Sequence, residues 1–363
     1  MHELKHLSCP FTWDMSSVTS YSGRILNREN ERLSYWMDED NNDFKNISIM
    51  KLMFSLMTSY EYTEDDKLEE AIKQIEISEQ IFIELVSAPN NISIKAVDHI
   101  LKGTKCFILE RMNKSSEITS IFKTFHLCHQ DTVELGTLYG CRAIAWSFYF
   151  DAGVVETIRN SEKAIKLDSN NGLWHFILGK GLRTKRKCSG SYSNPSGREQ
   201  MAFHSAFMLL CNAYIGTYHA HTQYESKNLV EAKNIYTMIL SMKPSEYDIY
   251  LKLALGFIRL RESDKADVCL KHLEEKVPSN PKYLHYKGLY LEKCKKDSEH
   301  FQDFMYNPKT NIYHVLKMDI IPKLKSIQDL NESTFEMIKQ AEEAYKAYQT
   351  HITEDANGKM TDN

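Results

Sequence analysis

The sequence predicts an all-α superhelix, an α-solenoid built from paired antiparallel helices, and three observations predict it. First, a set of residues returns at a fixed interval between Ala213 and Asn280. Ala220, Ala232, Tyr236, Ile239 and Pro244 recur 34 places later as Ala254, Ala266, Leu270, Leu273 and Pro278. Second, glycine and proline are scarce, 14 and 8 among 363 residues, which suits helices joined by short turns better than β-structure. Third, apolar residues elsewhere recur at helical spacing, as in Met50, Met53, Phe54 and Met57.

The repeated positions have a physical logic. Alanine or glycine lets two antiparallel helices approach closely, the larger apolar residues fill the space against the next pair, and the proline ends the second helix. A helix-turn-helix unit of about 34 residues with this spacing is the tetratricopeptide repeat.

In chain order, residues 1–45 read as an N-terminal arm: polar, with an acidic run at Asp38, Glu39 and Asp40. Phe11 and Trp13 are expected to plug the end of the solenoid. Residues 46–130 read as two divergent repeats. In the first, Ser55 and Ala71 take the small positions, and Glu64, Asp65 and Asp66 are expected to open the second helix, where acids complement the helix dipole. In the other, Cys106 and Leu109 lie on the first helix and Phe122 and Phe125 on the second, with Ile118 where alanine is usual. Pro89, Asn90 and Asn91 separate the two. Residues 138–280 read as four repeats, 138–171, 172–212, 213–246 and 247–280. The second of these is longer, and its extra residues are expected in a basic and Ser/Gly/Pro-rich loop from Thr184 to Gly197, since insertions in repeat arrays go to loops. Residues 281–348 read as a degenerate repeat followed by capping helices, and residues 349–363 as a disordered tail.

The totals restrict function. The formal net charge is −4 and the pI about 6.4, so any nucleic-acid site must be local. The eight cysteines form no CxxC pair, and the N-terminus has no apolar signal segment, so reduced thiols and a cytoplasmic location are expected. No long apolar run predicts a membrane span. The phosphate-loop, dinucleotide, zinc-protease and serine-hydrolase motifs are all missing, which predicts a non-enzymatic protein. His126, Cys128 and His129 lie close together, but no further Cys or acid stands at ligand spacing, so neither metal nor cofactor is expected. His219 and His221 point to different sides of their helix.

Binding chemistry follows from the repeat register. In such arrays the first helix of each unit lines the inner face. Counted in register, those positions give Arg142, Trp146 and Tyr149, then Lys180 and Arg183 with Lys185, Arg186 and Lys187 beyond, then Tyr214, His221 and Tyr224, with Arg259 and His285 in the following units. Acids are few, Asp248 and Glu292 being the exceptions. Cations neutralise phosphates, and a base stacked on an aromatic ring is worth roughly 1–3 kcal/mol, so the face suits single-stranded RNA. It also suits a peptide or protein partner with an acidic terminus, because Lys and Arg clamp carboxylates too. A third alternative is that many of the rings pack the core and the charges are merely solvated. Self-association or pairing with another chain is compatible with both binding readings.

The segment Cys9-Pro10-Phe11-Thr12-Trp13-Asp14 resembles the opening of the interferon-induced proteins with tetratricopeptide repeats. The resemblance continues through Met50–Phe82, which looks like their first repeat, and through the placing of later repeats, including an irregular fourth unit. It implies a cytosolic protein of innate antiviral defence. Some members bind the 5′ end of single-stranded RNA in a basic internal cavity, and others act through protein contacts. Tyr214 and His285 match a tyrosine and a histidine of the family pattern. Phe148 stands where RNA-binding members have lysine, and Leu251 stands near a family arginine. Neither can hold a triphosphate, which leaves Arg142, Lys180 and Arg183 as substitutes.

Overall fold

The computed structural model describes residues 4–15, 18, 25–26, 47–87, 91–125, 131–189, 194–278, 280–290 and 339. The acidic run at 38–40, His126, Cys128 and His129, the expected capping helices after residue 290, Glu292 and the tail lie outside the described residues. Every regular element among the described residues is helical. The chain divides into two compact units, residues 1–228 and 229–363, and this division falls inside the expected repeat 213–246.

In the first unit, α1 (Ser48–Glu64) packs on α2 (Leu68–Ser87), α5 (Thr132–Ser147) on α6 (Phe150–Leu167), and α7 (Gly172–Cys188) on α8 (Gly197–Leu210); α3 (Ile94–Arg111) and the short α4 (Ser115–Phe122) form a looser pair, and α9 (Ala213–Glu225) packs on α8. The first helices α1, α3 and α5 also touch one another, and α7 touches α5, so first helices lie side by side along the unit. In the second unit, α11 (Tyr247–Arg259) packs on α10 (Leu229–Ser241), α12 (Ser263–Lys276) and α13 (Pro281–Tyr290).

Side-chain caps set the helix starts. Asp131 accepts from the backbone N–H of Val133 and Glu134, Asn171 from Leu173, Ser196 from Glu199 and Asn212 from Ile215. Each satisfies an N–H that the first turn leaves without a partner. The small positions are where helices approach. Ala71, Ala220, Ala232, Ala254 and Ala266 are all fully buried, and Ser55 donates its hydroxyl to the Gln74 carbonyl across α1 and α2 at 3.0 Å. A methyl group on Gly140 of α5 would overlap the ring of Trp174 on α7, so glycine is what admits the indole. Short α4 has no buried residue, and its partly buried Ile118, Ile121 and Phe122 pack against Leu4, Leu7 and Cys106.

Four expectations are corrected. The acidic trio does not open α2: Glu64 ends α1, Asp65 caps it, and Asp66 takes a left-handed turn at φ 57°, leaving Glu69 and Glu70 in the first turn of α2. Phe125 lies beyond the end of α4 and packs its ring on His99 and Phe122 instead. The cluster Lys185, Arg186 and Lys187 is not in a loop, because α7 continues through it to Cys188; cations suit the negative end of a helix. Phe11 and Trp13 do not plug an end. The turns Leu4–His6 and Pro10–Thr12 sit against the first helices α1 and α3. There Phe11 packs between Tyr60 and Phe107, with ring centroids 5.0 Å from each. Trp13 is 1% exposed, donates its indole N–H to Ser8 Oγ at 3.0 Å, and offers its carbonyl to Arg142 of α5 at 3.1 Å. Further along, the fully buried Glu61 carboxylate accepts from the backbone N–H of Ile25 and of Leu26 at 3.1 and 3.0 Å.

Candidate nucleic-acid interface

Among the described residues, the most buried ion pairs of the first unit lie where the end of α7 meets the end of α9. Arg183 and Arg186 are three residues apart on α7 and so share a face. Across from them stands Glu225, the final residue of α9. Its Oε2 accepts from Arg186 Nη2 at 2.6 Å and from Arg183 Nη1 at 3.3 Å, while its Oε1 lies 3.1 Å from His221 Nε2. Arg186 is held on its other side by Glu199 of α8, a two-pronged pair with both contacts at 2.9 Å. Glu199 is 1% exposed, so this pair is a fixed part of the helix packing. Burial would raise the Glu225 carboxyl, but the His221 hydrogen bond and the Arg183 and Arg186 charges outweigh it and bring it down to about 2. Hydrogen bonding to Glu199 holds the Arg186 proton more firmly still.

Rings and further cations adjoin this cluster. Lys180 lies one turn before Arg183 and is half-buried, while Lys185 and Lys187 are exposed. The half-buried Tyr224 packs at a tilt against His221, centroids 6.3 Å apart.

Other expected face residues are used differently. Trp146, Tyr149 and Tyr214 are 3%, 3% and 2% exposed, so packing already occupies the ring faces that a base would need. Trp146 meets Tyr149 edge-on, and Tyr214 belongs to a ring cluster with Phe176 and Tyr218. Arg142 is committed in part to the Trp13 carbonyl. Among the described residues, its Nε and the Trp146 indole nitrogen are buried without a hydrogen-bond partner. Arg259 ends α11 and is exposed, and His285 lies on α13 with its ring 5.7 Å from Tyr286; both belong to the second unit. Sequence reasoning missed Glu199 and Glu225, the two acids that organise the cluster. The spacing His221 to Glu225, one helical turn, was the available signal for one of them.

His219 faces the other way, as expected from its register. It is 3% exposed and its Nε2 lies 3.4 Å from His204 Nδ1. Among the described residues no group of three or more His, Cys, Asp or Glu could hold a metal ion, and no helix is long and apolar enough to cross a membrane.

No protein-family model matches the sequence, and no curated protein is significantly similar to it. Solved structures are similar in fold. A monomeric IFIT1 mutant with m7Gppp-AAAA superposes over 95% of this chain and 68% of its own, with TM-score 0.60 at 14% identity. The human IFIT1 dimer with PPP-AAAA does so over 96% and 70%, with TM-score 0.56, also at 14% identity. The fold is that of a tetratricopeptide-repeat protein. At this identity the likeness concerns the path of the chain alone. It agrees with the family resemblance read at Cys9–Asp14.

Proposed function

We propose that this is a non-enzymatic tetratricopeptide-repeat protein that binds single-stranded RNA, with the contact built around the ends of α7 and α9. One observation carries the reading: Arg183, Arg186 and His221 converge on a single point beside a half-buried ring, Tyr224, with Lys180 one turn away. Phosphate needs convergent cations, and a base needs a ring face within reach of them. Lys180 and the two arginines take the phosphate role, and Tyr224 takes the stacking role. Arg142, in the same unit, remains a candidate contact, whereas Arg259 and His285 lie in the second unit. The RNA ligands of the IFIT1 structures, PPP-AAAA and m7Gppp-AAAA, support this ligand class. The N-terminal resemblance supports an antiviral, cytoplasmic setting, and the IFIT1 dimer supports self-association.

Fluorescence anisotropy of a labelled single-stranded oligoribonucleotide tests it. Affinity should fall steeply as salt rises, because each neutralised phosphate releases counterions. Lys180→Ala combined with Tyr224→Ala should weaken binding by about tenfold or more, from one lost cation contact and one lost stack. Absence of binding at low salt rejects the proposal.

A further inference from the structure

We propose that Glu225 is a resident competitor: its carboxylate occupies the position that a phosphoryl group of the bound RNA takes, and binding requires it to leave. The inference rests on the RNA reading and adds the regulation of that same site. Three donors from two helices, Arg183 Nη1, Arg186 Nη2 and His221 Nε2, meet this one carboxylate at 3.3, 2.6 and 3.1 Å. A phosphoryl group carries the same kind of oxygen acceptors and can be met by the same donors.

The two acids of the cluster are not equivalent. Glu199 is buried and grips Arg186 in a two-pronged pair. Glu225 stands at the end of its helix with its side chain 24% exposed. It can turn toward solvent without unpacking the helix. When it does, Glu199 still fixes the Arg186 guanidinium, and the Arg183 side chain, 7% exposed, is still held by its surroundings. The two guanidinium donors therefore stay arranged for an anion after the carboxylate departs.

This arrangement discriminates by multiplicity of charge. A carboxylate tethered by two methylenes competes as an intramolecular ligand at a high effective concentration, on the order of millimolar or more. A lone phosphate has nothing else to offset that competition. An RNA strand does, because its neighbouring phosphates can reach Lys180, one turn along α7 from Arg183, and a base can reach Tyr224. The site should reject small anions and accept a polyanionic strand.

Two variants and two probes test this. Inorganic phosphate and a short oligo(A) RNA are titrated by calorimetry into the wild-type chain and into Glu225→Gln, with a melting curve as the folding control. Glu225→Gln should bind inorganic phosphate at least about tenfold more tightly than wild type, through the released charge contacts. Its RNA affinity should rise and its salt dependence steepen. A folded Glu225→Gln that binds phosphate no better than wild type overturns the inference, whether or not the wild type binds RNA. Gain of phosphate binding in a chain that binds no RNA upholds the anion site and rejects the RNA reading instead. Should Glu225→Gln fold poorly, Glu225→Ala is melted in phosphate and in chloride at equal ionic strength. Selective stabilisation by phosphate, absent in wild type, supports the inference, and equal melting in both salts overturns it.

Discussion

Burial, and then the neighbouring His204, lower the His219 pKa from 6.5 to about 4, so the native protein keeps this imidazole neutral. The unfolded chain takes up a proton as pH falls below 6.5, and the folded chain does not until about 4. The stability that depends on neutral His219 is therefore complete above pH 6.5 and is lost as pH falls toward about 4. The Glu225 contribution runs lower: it is complete above 4.5 and is lost only as pH approaches about 2. Chemical denaturation between pH 7 and 5 should show a smaller loss for His219→Gln than for wild type. Parallel curves would mean that the ring is not desolvated. The thiols divide in the same manner. Burial raises Cys9, Cys141 and Cys269 to about 12 and Cys106 to about 11, whereas Cys188 and Cys211 are exposed. Since the thiolate is the reactive form, mass-mapped alkylation of the native protein at neutral pH should modify Cys188 and Cys211 and spare the four buried thiols until denaturant is added. Trp146 separates packing from recognition. Because Trp146 is only 3% exposed, Trp146→Phe should leave RNA affinity within about twofold while lowering the melting temperature, as core truncation does. Loss of affinity comparable to that of Tyr224→Ala would return Trp146 to the contact surface.

At the scale of the element, close approach is what the repeat encodes. Gly140 admits Trp174 between α5 and α7, and Gly256 on α11 similarly leaves room for the ring of Tyr236 on α10. Gly140→Ala should destabilise by about 1–3 kcal/mol, the usual cost of forcing volume into a packed interior, read as a drop in denaturation midpoint. The same spacing argument explains what was legible. Ala232, Tyr236 and Ile239, and Ala266, Leu270 and Leu273, were picked out by interval alone, and all are buried at 5% exposure or less. Interval reports local periodicity, which is what a helix face is made of. It does not report partners reached from elsewhere in the chain. Glu225 carries no such mark, because its role comes from α7, some forty residues earlier. The seat of Phe11 and Trp13 has no local signature, because it is made by Tyr60, Phe107 and Arg142. The basic cluster shows the same limit: an insertion points to a loop, although three cations at a helix C-terminus are compatible with continuing the helix through them.

At the scale of the whole molecule, the repeats make stability local. A helix pair in an array draws its stability from itself and its immediate neighbours, so damage spreads over a short range rather than everywhere at once. The division into residues 1–228 and 229–363 sharpens that expectation into a test. Gly256→Leu forces a large side chain against Tyr236 inside the second unit. Hydrogen exchange read by mass spectrometry should then show faster exchange in the helices from Leu229 to Lys276, while the amides of α1, α2, α5 and α6 keep their wild-type protection, because sub-global opening is confined to contiguous units. RNA affinity should also change little, since Arg183, Arg186, His221 and Tyr224 all belong to the first unit. Uniform acceleration along the chain would instead mean that the two units unfold as one cooperative body. A matching loss of RNA binding would place part of the contact beyond residue 228, where Arg259 and His285 lie.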